Sequence, residues 1–513
     1  MTTTRIKNTI LLSIVLLIAN GNLYSQTATD GLRFSQTLNG GTARFVSMGG
    51  AFGALGADFS SLSVNPAGLG VYKSSELTIT PSFKNRKIES TYDGTSASDS
   101  KNRLGFDNFG FVMSFKPYKS EEKGILNFNI GFGYTRTNDF YSNSYSTNGG
   151  FNQTSIMDFF TSKANSLGIA PSSLEFADNY DPFYSNGSNA WDIIMGWNTY
   201  LLFDYDNGTY ISALFTDDLV SHKNSISTQG GSGEYDFSFA MNISNKLFLG
   251  TTLGITNYSY TYNATYSEDA SSSNLHDSNG DRFYYMDYFQ FYETTGSGYN
   301  LKIGALYTPI QSVRIGASIH TPTFYSFDDS YSSRIESNFD RNFAEVSYTS
   351  KTPIGRYDYS FESPFKAVGS FAYIIQNIGL ISLDVEHIDY SSMKFRNGGD
   401  GESYNDLNVE LQNTFKSVTN LKVGGEYRIK DFALRAGYAI YPSPYKKGFL
   451  NENAKTNQVS GGFGYRSGGF SIDLAYLRTL KTEKYKFYDH SGLNPVTTDI
   501  TDGRFLVTLG FRF

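Results

Sequence analysis

The residues able to do acid–base or metal chemistry stand apart from one another along the 513-residue chain. His222, His276, His320, His387 and His490 form no pair at helical ligand spacing, and there is no cysteine. That pattern supports neither a zinc centre nor a thiolate nucleophile, and no serine triad can be named from spacing. The run Asp277-Ser278-Asn279-Gly280-Asp281 is rich in oxygen donors for Ca²⁺. It lacks the EF-hand register and the downstream Glu, so an ordinary polar turn is the simpler reading. Gly131-Phe132-Gly133 and Gly462-Phe463-Gly464 imitate a dinucleotide fingerprint, but Arg136 and Ser467 stand where its third glycine belongs. The reading is of a protein that is not an enzyme and uses no cofactor or metal.

The densest special stretch is instead residues 42–70, TARFVSMGGAFGALGADFSSLSVNPAGLG. Its glycines permit close backbone approach, and Asn65-Pro66-Ala67-Gly68 fixes a turn by restricting two consecutive residues. It reads as a plug of turns and short helix that something else must surround.

Composition says what surrounds it. Aromatic residues make up 16% of the chain, with 42 Phe and 39 Tyr, and there are 50 Gly, the currency of strands, aromatic belts and turns. A net charge of −7 excludes a nucleic-acid partner, which would need a basic face. Arg5 and Lys7 precede an apolar run over residues 10–19, and small Ser25 precedes Gln26. This predicts a secretory signal over residues 1–25, cleaved after Ser25, since the run is too short to anchor a chain in a bilayer. No later stretch can span as a helix, so a membrane protein made from this chain must be a β-barrel.

Alternation supports that barrel. Phe432, Leu434, Ala436, Tyr438 and Ile440 oppose Ala433, Arg435, Gly437 and Ala439; Ile381, Leu383 and Val385 oppose Ser382, Asp384 and Glu386; Phe470, Ile472, Leu474 and Tyr476 oppose Ser471, Asp473 and Ala475. Fourteen such segments are expected, near 75–84, 106–116, 124–137, 235–244, 246–262, 299–309, 311–321, 364–375, 378–390, 417–429, 431–441, 456–466, 468–481 and 503–513. Tight turns are expected at Ser244-Asn245, Thr308-Pro309-Ile310, Gln376-Asn377, Lys430-Asp431 and Ser467-Gly468-Gly469. Long extracellular loops are expected over 138–233, with short helices, and over 263–298 and 322–363. Within the second, Phe283, Tyr284, Tyr285, Met286, Tyr288, Phe289, Phe291 and Tyr292 pack against the first loop or line an apolar entrance.

The hatch elements Ala43-Arg44, Met48-Gly49-Gly50-Ala51-Phe52 and Asn65-Pro66-Ala67-Gly68-Leu69 resemble the FadL-type outer-membrane transporters of hydrophobic compounds. So, in order, do Ile303-Gly304-Ala305-Leu306-Tyr307-Thr308-Pro309, Arg314-Ile315-Gly316-Ala317-Ser318, Leu383-Asp384-Val385-Glu386, Val423-Gly424-Gly425-Glu426-Tyr427 and Leu434-Arg435-Ala436-Gly437-Tyr438-Ala439. The resemblance implies an all-β, monomeric, transmembrane antiparallel barrel of fourteen strands (75–513) plugged by an N-terminal hatch (26–74) in the outer membrane of a diderm bacterium. It implies passive uptake of long-chain fatty acids or other hydrophobic small molecules through an outer apolar groove, a lumen pocket and a lateral opening. Asn65, Pro66, Ala67 and Gly68 would be the gating turn, and Gln26, Phe52, Phe283, Phe289 and Phe291 the ligand-lining candidates. Gly131 and Gly133 would kink the strand at the opening. The last strand, ending on Phe513, resembles the signal read by the barrel-assembly machinery. The partners implied are thus a hydrophobic ligand, membrane lipid and that machinery. The alternative is a surface binding or adhesion receptor that uses the barrel as a scaffold for its loops; a barrel enzyme such as a lipase comes third.

Overall fold

In the computed structural model the described residues are 26–513 except 39, 118–122, 207, 216, 272–273, 275–280, 342–343, 377 and 397–402. The expected signal segment, His276, most of the oxygen-rich 277–281 run and Asn377 of one expected turn lie outside them.

Fourteen antiparallel strands form the wall: β1 (Glu76–Tyr92), β2 (Thr95–Phe115), β3 (Ile125–Asp139), β4 (Val220–Ile243), β5 (Leu247–Ala270), β6 (Arg282–Ile310), β7 (Val313–His320), β8 (Lys366–Ile375), β9 (Gly379–Asp389), β10 (Ser417–Ile429), β11 (Phe432–Tyr441), β12 (Thr456–Ser467), β13 (Phe470–Tyr485) and β14 (Val496–Arg512). Each overlaps one expected segment. The sheet closes through β1 and β14, from Glu76 opposite Arg512 to Thr91 opposite Thr497, and so leaves no open edge. The period of two turns large apolar side chains such as Phe132, Phe237, Ile255, Ile303, Ile381, Leu434 and Phe505 outward, where they are exposed. Such a band suits lipid and would be unstable in water. Among the described residues no helix is long and apolar enough to cross a membrane.

One end, here the lower, carries the tight turns, including Ser244-Asn245, Lys430-Asp431 and Gly468-Gly469. The turn expected at Thr308-Pro309-Ile310 is displaced: those residues finish β6, and Gln311 and Ser312 make the turn. The upper end departs further from expectation. Much of 263–298 and 322–363 is strand, not loop. β5 and β6 pair up to Asp269 opposite Tyr285, and Phe324–Arg341, Ala344–Lys351 and Gly355–Glu362 continue the sheet above the belt. The cause is side-chain pairing: Tyr262 faces Tyr292 and Tyr266 faces Tyr288, and cross-strand aromatic and β-branched pairs stabilise a ladder without a membrane.

Among the described residues six α-helices accompany the wall: α1 (Ala28–Ser35), α2 (Ala43–Ser47), α3 (Ile156–Leu167), α4 (Pro182–Ser185), α5 (Trp191–Asn198) and α6 (Asn405–Thr414). Thr27 caps α1 and Ser155 caps α3, each in a capping box with the Asp three residues on. The 138–233 segment does contain short helices, and it ends in the upper half of β4. Ile156, Met157 and Phe160 of α3 and Ile193 and Ile194 of α5 form one core with Phe283, Met286, Ile335 and Phe339. This core roofs the barrel.

Candidate functional site

The lumen is filled from below by residues 42–72. Two short 3₁₀ helices, Phe59–Ser63 and Pro66–Val71, follow α2, and all three are almost wholly buried. Wall glycines at one height let the plug's backbone touch the strands. A Cβ at Gly304 would lie 2.0 Å from Asn65 Oδ1, one at Gly316 2.2 Å from the Gly53 carbonyl, and one at Gly437 2.1 Å from the Gly49 nitrogen. Gly133 and Gly131 serve the same purpose. Their missing side chains make room for Phe59, Leu62 and Leu69. They do not kink β3, because Gly131 pairs with Val112 and Ser238 and Gly133 with Gly110 and Asp236, an unbroken ladder on both sides.

Polar contacts fix the plug around the ring. The Asp384 carboxylate accepts from Phe52 N and Gly53 N, both at 2.9 Å, and Arg314 donates to the Leu55 carbonyl at 2.6 Å. Ser318 Oγ and His320 Nε2 both reach the Val64 carbonyl, and Arg44 joins Glu426, which also holds Arg435 and Arg428. Within the plug, Asp58 accepts from Thr42 Oγ1, and burial pushes its carboxyl above the ordinary range.

Asn65 ties plug to wall: its Nδ2 donates to Gly53 O at 2.7 Å and Ala305 O at 3.1 Å, while Oδ1 accepts Ala67 N. Pro66, first in its turn, needs no donor there. Ala67 and Gly68 are buried behind it. Asn65→Ala orphans two carbonyls and one N–H, so we expect about 1–3 kcal/mol less stability of the plug. A measured loss of polar-solute exclusion in liposomes, with the barrel still heat-modifiable on gels, checks this; unchanged exclusion contradicts it.

Above the plug are two cavities. The upper, of about 380 Å³, is lined by Leu32, Leu38, Ile88, Phe140, Ile388 and Val418, with Arg33, Arg86, Glu386, Lys481, Glu483 and Asp502 among its charged groups. Arg33 is held by Asp30 of the same helix at 2.7 Å and lies 3.8 Å over the Tyr260 ring of the wall. The lower, of about 110 Å³, is lined by Lys302, Lys366, Lys422, His320, Glu234 and Glu386. Thr37 and Leu38 line both, so the linker between α1 and α2 is the partition.

That partition abuts a discontinuity in the wall. The β2–β3 ladder ends at Asn108 opposite Thr135, while β3 goes on pairing with β4 as far as Asp139. Beyond the last rung, plug residues take up the free side of β3: Leu38 N donates to Thr137 O at 2.9 Å and Asn138 Nδ2 to Gln36 O at 3.2 Å. Among the described residues, side chains alone bridge from β3 to β2 there, Arg136 Nε to Phe106 O at 3.0 Å and Arg103 to Asp139 at 3.1 Å.

The five ligand-lining candidates lie elsewhere. Gln26 is buried with Nε2 on Asp329, Phe52 packs on Phe45 inside the plug, and Phe283 packs on Phe339 in the roof. Phe289 and Phe291 stand on the outward face of β6, with Arg334 stacked on Phe289. None lines either cavity. A bulge opposite Asn338 and Phe339 turns Phe283 inward and leaves the other two outside.

Two further described histidines are held by protein groups. His222 is fully buried between Tyr92 OH and the Thr154 carbonyl, and His387 meets Thr419. Among the described residues no three His, Asp or Glu come together to hold a metal.

Neither a family model nor a curated protein matches the sequence. Solved structures do match. A FadL homologue of Pseudomonas aeruginosa, 12% identical, superposes over 93% of this chain and 100% of its own with a TM-score of 0.51. The chain has the FadL fold. The toluene transporters TodX of P. putida and TbuX of Ralstonia pickettii, each 13% identical, cover 93% of this chain and 99% of theirs, with TM-scores of 0.49 and 0.48. In this FadL-fold barrel the Asn65 turn ties the plug to the wall, and the β2–β3 ladder stops one step above Gly133.

Proposed function

We propose that the protein is an outer-membrane channel for passive uptake of hydrophobic small molecules, long-chain fatty acids among them, acting as a monomer after its signal peptide is removed. The observation that carries this is the sealed axis beside an unpaired seam. The plug fills the lumen beneath an amphipathic cavity, and the linker that floors the cavity occupies the free edge of β3. The tight-turn end then faces the periplasm and the roofed end the cell exterior, and Phe513 ends the strand that the assembly machinery reads.

In this reading the ligand leaves the roof's apolar surfaces for the upper cavity, whose volume falls within the about 300–1,000 Å³ of small-molecule sites. It then passes sideways between β2 and β3 when the linker moves aside. A solute leaving water for an apolar lining gains free energy at each transfer, so no energy source is needed. The hatch turn at Asn65 gates by holding the linker's far end in register.

Protein reconstituted in liposomes should bind a labelled long-chain fatty acid saturably and speed its passage, while a sugar of similar size is excluded. Absence of both effects in a folded barrel would overturn the channel and favour a surface receptor. Arg136→Ala with Arg103→Ala removes the side-chain bridges of the seam, and we expect uptake to rise several-fold, about what removing 1 kcal/mol from a gating equilibrium gives. Slower or unchanged initial rates would contradict a seam at that place.

A further inference from the structure

Outside the lumen, the low side of the upper rim carries a charge pattern that transport does not use. β11 has 10 residues against 29 in β6, so the loop over residues 442–455 emerges directly above the lipid-facing belt. The belt's upper residues there are Tyr438, Val459 and Tyr476, all outward and exposed. Interfacial tyrosines mark the head-group boundary of a membrane barrel.

Cations begin on the rung of Val459 and rise above it. Arg478 lies opposite Val459, and Thr456 lies opposite Lys481, so Lys455 falls beside Thr482 on the outward face. Lys484 follows on the same face of β13. Lys447 stands exposed on the loop itself. Among the described residues Lys447, Lys455, Arg478 and Lys484 make no ion pair. Two carboxylates stand nearby, Asp499, which accepts from Thr482 Oγ1, and Glu452, which accepts from Gly448 N and Asn453 Nδ2, against four cations.

The loop is built, not loose. Asn451 exchanges two hydrogen bonds with the Lys484 backbone, at 2.9 and 2.8 Å, and Ser443 Oγ holds the Asn451 carbonyl at 2.6 Å. Gly448, at φ +95°, makes the turn that presents Phe449 and Leu450, 39% and 44% exposed. Apolar side chains beside unpaired cations, continuous with a lipid belt, complement an amphiphile with an anionic head.

We infer that this patch holds a phosphorylated lipid of the outer leaflet, its phosphate groups on Lys455, Arg478 and Lys484 and its acyl chains running down past Leu480 and Val459 to Tyr476. Arg478 supplies the planar fork that suits phosphate, and the lysines supply point charges. The inference rests on the outer-membrane reading above, and it concerns the outer wall alone, not the uptake path.

The test uses the full chain in nanodiscs of phosphatidylcholine doped with diphosphoryl lipid A, read by native mass spectrometry. The wild type should retain lipid A in preference to phosphatidylcholine. Lys455→Gln, Arg478→Gln and Lys484→Gln together should weaken retention about 10–100-fold, and Leu480→Ser with Val459→Ser should weaken it without a change of charge. Lys430→Gln, at the opposite end of the barrel, should change nothing. Equal retention by the triple variant, in a barrel that still shows heat-modifiable migration, would overturn the lipid site and leave the uptake reading standing. A barrel that does not insert into nanodiscs at all would overturn both.

Discussion

With cysteines at Leu38 and Thr137 joined by oxidation, uptake of a labelled fatty acid should fall at least about tenfold and return on reduction. Leu38 N lies 2.9 Å from Thr137 O, the contact by which one strand sits on another. Neighbouring strands bring Cα atoms to about 4.5–5.5 Å, within the span a disulfide bridges. The chain has no native cysteine to compete. Locking this contact leaves plug, wall and cavity in place and removes one freedom, the departure of the linker from the edge of β3. Each single-cysteine variant should transport normally under both conditions. Equal uptake by the oxidised and reduced double variant would show that the linker does not gate.

The second large effect concerns the seat of the plug. Gly304→Val should unseat it, because even a Cβ would meet Asn65 Oδ1 at 2.0 Å and the displaced partner is the turn that Asn65 itself organises. Overpacking costs about 1–3 kcal/mol where neighbours can shift, and here the neighbour is backbone-bound on both sides. The expected readout is leakage of small sugars through a barrel whose strands remain assembled. Gly369→Ala is the control: Gly369 is exposed on the wall and nothing lies within 4 Å of its Cβ position, so sugar exclusion and stability should not change. Tight exclusion in Gly304→Val would mean that the glycine ring is not what seats the plug.

The wall was legible because lipid and a polar lumen impose a period of two on every strand, and segments such as Phe432–Tyr441 show it without interruption. The upper strands were not, since above the membrane both faces meet water or protein and the alternation disappears; in β6 the run from Phe283 to Tyr292 is aromatic on both faces. Length and polarity there suggest loop, whereas cross-strand pairs such as Tyr262 with Tyr292 make sheet.

The hatch turn was visible in Asn65-Pro66-Ala67-Gly68 because its constraint is local. Its seat was visible only in part. Gly304, Gly316, Gly424 and Gly437 each fall within the segments that resemble the FadL type, and their inward parity is the signal that a second backbone lies against them. Read with that parity, Gly131 and Gly133 also point to packing, not to a kink. The cavity was out of reach, because Leu32, Leu38, Ile88, Ile388 and Val418 come from five places in the chain and meet only when the sheet closes.

The most direct measurement is to load the reconstituted barrel with a long-chain fatty acid carrying a photoreactive group near the end of its chain, irradiate, and map the labelled peptides by mass spectrometry. The account predicts saturable labelling on the peptides holding Leu32, Leu38, Ile88 and Ile388, competed by unlabelled fatty acid. Labelling confined to the roof, with those peptides untouched, would contradict it.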